Sequence, residues 1–69
     1  MATQHTVQTS VGPVAAWVDE HDGGHRAVVD GTAHPDLDGV QAPAAGEAPA
    51  QSLDVALEML RHAIEARLV

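Results

Sequence analysis

The chain of 69 residues contains no cysteine, no tyrosine, no phenylalanine and no lysine. Without cysteine it has neither a disulfide framework nor a thiolate metal cage. Trp17 is the single aromatic residue, so the core has to be made of Val, Leu, Ile, Met and Ala. Side chains of that size seldom fill the core of so small a monomer, which directs attention to a second subunit or a partner that covers an apolar face. Positive charge is equally scarce. Arg26, Arg61 and Arg67 stand against ten acids, for a net charge of −7. Phosphate recognition needs clustered Lys or Arg, so direct nucleic-acid binding is not expected. A basic protein partner is favoured instead, although a source organism rich in Ala, Val, Asp and Arg would give the same bias. No apolar run approaches the roughly 20 residues that span a bilayer. The opening "MATQHTVQTS" lacks the basic start and apolar core of a signal peptide. The expectation is one small, soluble, cytoplasmic domain with no membrane association.

What is present is patterned. Residues 5–11, "HTVQTSV", alternate, with Val7, Thr9 and Val11 on one face, and read as an edge strand that Gly12-Pro13 breaks. Residues 14–20 and 25–31 read as two further strands. Between them lies His21-Asp22-Gly23-Gly24, and Asp-Gly and Gly-Gly are strong signals for a tight hairpin turn. Residues 32–51 hold three of the four prolines and read as a long loop with a candidate short edge strand at 39–41. The helix is expected over 52–68, capped by Ser52 with Asp54 in its first turn. Leu53, Leu57, Leu60, Ile64 and Leu68 form its apolar stripe. Val55, Met59, Ala63 and Ala66 form a second, shallower strip, and Arg61 and Glu65 stand at ion-pair spacing. The fold class is therefore α+β: a small antiparallel sheet of three or four strands packed by one C-terminal helix, in the order β-β-β-α.

Candidate chemistry is thin. His21 and His25 stand four apart, the spacing of zinc ligands on a helix, but the intervening Asp-Gly-Gly argues for a turn. Were the hairpin loop the three residues 22–24, the two histidines would face each other across it. With His34 they make an alternative metal-binding reading that still lacks a full ligand set. Asp36, Asp38 and Glu47 fall at positions one, three and twelve of a calcium loop, but Val40 and Gln41 occupy positions that require an oxygen ligand and a glycine. No nucleophile lies beside a base, no phosphate loop precedes the helix, and no enzyme or cofactor is expected.

The order of motifs is more specific than any one of them. Asp22-Gly23-Gly24 between two strands is followed by Pro35-Asp36-Leu37-Asp38-Gly39-Val40, then Gly46-Glu47, then the helical "SLDVALEMLRHAIEARL". Over residues 14–68 this resembles the HicB-type antitoxin domain, although "APAQ" at 48–51 separates Gly-Glu from the helix. The resemblance implies a prokaryotic, commonly dimeric α+β domain that neutralises a small basic ribonuclease toxin by covering its RNA-binding surface. On that reading the chain is a non-enzymatic protein-binding module and a homodimer. Its candidate interface residues are Trp17, the loop acids Asp36, Asp38 and Glu47, and Val55 and Met59 of the outer helical strip. A purely structural homo-oligomer is a further alternative.

Overall fold

A computed structural model describes residues 2–69, with His21 described through its backbone alone. Four antiparallel strands form one sheet in sequence order: β1 (Thr3–Thr9), β2 (Gly12–His21), β3 (Gly24–Val29) and β4 (Gln41–Ala42). One helix, α1 (Leu53–Leu68), covers one face of it. The α+β class and the single C-terminal helix expected from the sequence are both present, and of the three or four strands expected the sheet has four. Among the described residues no helix is long and apolar enough to cross a membrane.

The first two strands are offset from their expected bounds. The chain turns at Ser10 and Val11, not at Gly12-Pro13: Thr9 pairs with Gly12 and Gln8 with Pro13. Thr9 Oγ1 accepts from the Val11 N–H at 3.2 Å and donates to Gly12 O at 2.9 Å, closing the turn. Gly12 takes a φ of +96°, open to glycine and costly for other residues. Val11, expected beside Val7 on the inner face, is instead 63% exposed. Pro13 is tolerated in β2 because strand polarity leaves its missing N–H unneeded. The Asp30 N–H donates to Ala15 O at 3.0 Å, so the odd residues of β2 turn their backbone groups towards β3. The β3 strand ends at Val29 opposite Ala16, so on the β3 side, where the Pro13 nitrogen points, there is no carbonyl to receive an N–H.

The second hairpin turns on two residues. His21 pairs with Gly24, and Asp22 and Gly23 have φ of 52° and 80°, the positive pair that a type I′ turn requires. Gly24 serves a different purpose. It is buried, and a Cβ placed there would lie 2.6 Å from Ala50 O and 2.8 Å from Pro49 Cβ. The returning chain crosses at that point because His25 and Ala50 exchange backbone hydrogen bonds of 2.8 and 2.9 Å.

Residues 32–51 are more structured than a plain loop. After Val29 the chain peels off the sheet, and His34 supplies the bond that the ladder would have made: its Nε2 accepts the Ala15 N–H at 3.0 Å. Pro35–Leu37 form one 3-10 turn that buries Leu37. The Val29 N–H donates to Val40 O at 2.9 Å, and β4 then pairs with Ala27 and Val28, two residues long, starting two residues and ending one residue after the expected 39–41. The outer edge of β3 is thus covered at both ends, by residues 40–42 and by Ala50.

The core lies between sheet and helix: Val7, Val14, Ala16, Val18, Ala27 and Val29 face Ala56, Leu60 and Ile64, with Leu37, Val40, Ala42 and Ala50 closing the sides. Ser52 caps α1 as expected, its Oγ accepting the Val55 N–H at 3.2 Å. The helical stripe is rotated from the leucine series. Ala56 is fully buried, Leu53, Leu57 and Ala63 pack partly buried, and Leu68 is 41% exposed. Arg61 pairs with Glu58 in the preceding turn rather than with Glu65, and Glu58 also lies 3.2 Å from His62.

Glu65 is used elsewhere. Its Oε1 accepts from both Ser10 Oγ at 2.7 Å and the Ser10 N–H at 3.2 Å, fastening the first turn to the helix. The Ser10 hydroxyl above all, then its N–H, holds the Glu65 carboxyl below the usual carboxylate range. Because the folded-state pKa is depressed, this stabilisation is complete above the unfolded pKa and is lost as pH falls through the folded value. Ser10→Ala is therefore expected to melt lower than the parent at neutral pH. The gap should close on acidification below about pH 4, as the carboxylate is protonated in both. Thermal melts across that range check it; a gap independent of pH would assign the loss to something other than Glu65.

Candidate protein-binding surface

Among the described residues no helix covers the face of the sheet opposite α1, and only at Gly24 does the returning chain, at Pro49, lie against it. Alternation places Gln4, Thr6 and Gln8 of β1, Ala15, Trp17 and Asp19 of β2, Arg26 and Val28 of β3, and Gln41 of β4 on it. The register aligns Gln4, Trp17, Val28 and Gln41 in one row across all four strands. The two large apolar members are part exposed, Trp17 at 39% and Val28 at 38%. The row carries no charge.

Beside it, Asp19 stands opposite Arg26. The Arg26 guanidinium reaches over the sheet edge: Nη1 donates to Pro43 O at 3.1 Å and Ala44 O at 3.2 Å, and Nη2 donates to Glu47 O. Residues 44–47 close on themselves as well, through the Glu47 N–H to Ala44 O at 3.0 Å and the Ala44 N–H to Glu47 Oε1 at 3.2 Å. One arginine therefore satisfies three loop carbonyls and fixes the shape of the segment between β4 and Ala50. The sequence reading gave Arg26 no role. The signal was available, since Arg26 is the only cation before residue 61 and a proline-rich loop is short of N–H donors.

The other candidate interface residues do not join Trp17 in one patch. Val55 and Met59, 46% and 38% exposed, lie on α1 and so on the far side of the molecule from the open sheet face. Asp36 is exposed within the 3-10 turn and Asp38 just after it. The Asp38 carboxylate lies directly against Gly31, where any Cβ would collide with it. Next to them Val11, Leu37 and Leu68 help line a shallow groove of about 300 Å³. Glu47 is exposed, with its carboxylate turned to the Ala44 N–H.

Of the histidines, His21 opposes Gly24 and His25 opposes Glu20, so the two-residue turn does not set them face to face. The side chain of His21 lies outside the described residues. His25 borders a shallow hollow at the hairpin tip with Glu20 and Asp22. His34 is bound to Ala15, five residues along β2 from Glu20, or roughly 17 Å of strand. Among the described residues no three His, Asp or Glu side chains gather as a metal site.

The surface charge is predominantly negative, ten acids against three arginines. Among the described residues no charged side chain is buried, so the acids of a chain with net charge −7 face solvent. Arg61 is engaged by Glu58. The Glu58 carboxyl is held below its usual range, first by the hydrogen bond from Arg61. No family model, curated protein or solved structure matches this chain.

Proposed function

We propose that this chain is a non-enzymatic protein-binding module of the kind the antitoxin resemblance implies, soluble and cytoplasmic, acting as a homodimer on a small basic protein such as a ribonuclease toxin. The observation that carries the reading is the position of Trp17. A protein with one aromatic residue and a core of Val, Leu, Ile and Ala has every reason to bury it. Here it stands part exposed in the middle of an uncharged row on the open sheet face. Tryptophan is among the residues that dominate binding energy at protein interfaces. The exposed acids, Asp19 two residues along β2 and Asp36 and Asp38 elsewhere on the surface, suit a basic partner by accelerating encounter more than by adding affinity.

The test is affinity capture by the tagged chain in a prokaryotic host lysate, followed by titration of whatever basic protein is recovered. Trp17→Ala is expected to weaken that complex at least about tenfold. Raising salt should slow association, because the acidic field is screened beyond a Debye length of about 8 Å at physiological ionic strength. Capture of no basic protein, or capture indifferent to Trp17, would sink the reading.

A further inference from the structure

The two edges of the sheet are treated differently. The outer edge of β3 is covered by β4 and Ala50, while nothing among the described residues covers β1. Strand polarity identifies the groups left over. In β1 the residues paired with Val14, Ala16 and Val18 turn their backbone towards β2, so the N–H and C=O groups of Gln4, Thr6 and Gln8 point outward. Natural sheet edges are usually blunted by charge, proline, a bulge or shortness. The β1 strand, "TQHTVQT", is seven residues long, pairs residue for residue with β2, and contains no proline, Lys, Arg, Asp or Glu. That neutrality stands out in a chain of net charge −7.

We propose that two copies of the chain join antiparallel through β1, with Thr6 on the two-fold axis, to make one continuous sheet of eight strands carrying both helices on the same face. The edge is self-complementary about Thr6. Opposing Thr6 to its own copy, and Gln4 to Gln8 of the other chain, satisfies every outward N–H and C=O of these three residues in both chains. On the open face the same register places threonine beside threonine and glutamine beside glutamine, pairs that hydrogen-bond across strands. On the helix side it places His5 beside Val7 of the other copy. No acid meets an acid along the seam, so two chains of like charge approach where their repulsion is weakest. The inference rests on the self-association half of the proposed function and is independent of the basic partner.

Sedimentation of the full chain tests it. The parent is expected to sediment at twice the monomer mass of 7.1 kDa. Thr6→Pro removes an N–H that the monomer does not use, so helical circular dichroism should persist while dimerisation weakens at least about tenfold. Thr6→Lys, which leaves the backbone intact and sets two cations together on the axis, should do the same and decides the matter if the proline variant unfolds. His5→Pro, whose lost N–H faces β2, should instead unfold the chain. Trp17→Ala should remain dimeric. A monomeric parent overturns both this interface and the homodimer reading. A dimer that survives in folded Thr6→Pro or Thr6→Lys overturns the β1 interface and leaves the homodimer standing.

Discussion

Leu60→Ala is expected to leave the chain largely unfolded near room temperature. Leu60 is fully buried at the centre of the helix stripe, between Ala56 and Ile64 and against the inner face of the sheet. Truncating such a leucine costs about 2–5 kcal/mol, the transfer term plus the cavity left behind. Per-residue norms give a domain of 69 residues a total stability of only about 3–10 kcal/mol. The core has little with which to refill the space, since its other members are Val, Ala, Ile and Leu, with no flexible methionine among them. Val55→Ala is the matched comparison: it removes apolar atoms from the same helix at a position 46% exposed, and its cost should stay within about 0.5 kcal/mol. Urea titration followed by circular dichroism measures both. A Leu60→Ala midpoint close to that of the parent would mean that the helix does not seal the core as described.

Gly24→Ala is expected to lose about 1–3 kcal/mol from overpacking. The added methyl would meet Ala50 O at 2.6 Å and Pro49 Cβ at 2.8 Å. The obstacle is backbone and a proline ring, neither of which swings aside as a long side chain does. Relief requires the segment carrying Ala50 to lift off β3, which breaks both hydrogen bonds between His25 and Ala50. The neighbouring Gly23→Ala separates this cause from the obvious one. Gly23 has a φ of +80° and open space around it, so its substitution strains the turn without moving Pro49. Amide hydrogen exchange distinguishes the two: Gly24→Ala should unprotect His25 and Ala50 selectively, and Gly23→Ala should not. Equal protection of those amides in both variants would refute the close-approach account.

The contrast between these two glycines marks what could be read from the sequence. The type I′ turn at Asp22-Gly23 and the Ser52 cap are local events, decided by residues within three or four positions, and both were legible. The reason for Gly24 was not, because the atoms that forbid a side chain there belong to residues 49 and 50, far along the chain. Gly12-Pro13 misled for a related cause. Proline ends a strand only where its N–H would have been used, and that depends on where β3 stops. The helix period was plain, but its rotation was not. Alanine at position 56 is buried as completely as Leu60 and Ile64, so the buried face runs through 56, 60 and 64 and leaves Leu68 at the rim. For the surface, Trp17 stood out by its rarity alone. The other members of its row, Gln4, Val28 and Gln41, were identifiable only from the register, and Arg26 only once the carbonyls of residues 43, 44 and 47 had been brought within reach.

The cover over β3 also sets a limit on assembly. A sheet with two bare edges is a monomer for a fibre, since each added copy presents the next site. In this chain residues 40–42 and 50 occupy one edge, and the terminal strand β4 is only two residues long. Growth by strand addition can therefore proceed from β1 alone. An assembly built from units with a single growing end stops at two. The arginine clamp that fixes residues 43–47 beside β4 thereby acts at a distance from any binding face: it keeps the closed end closed, and makes aggregation the expected price of loosening it.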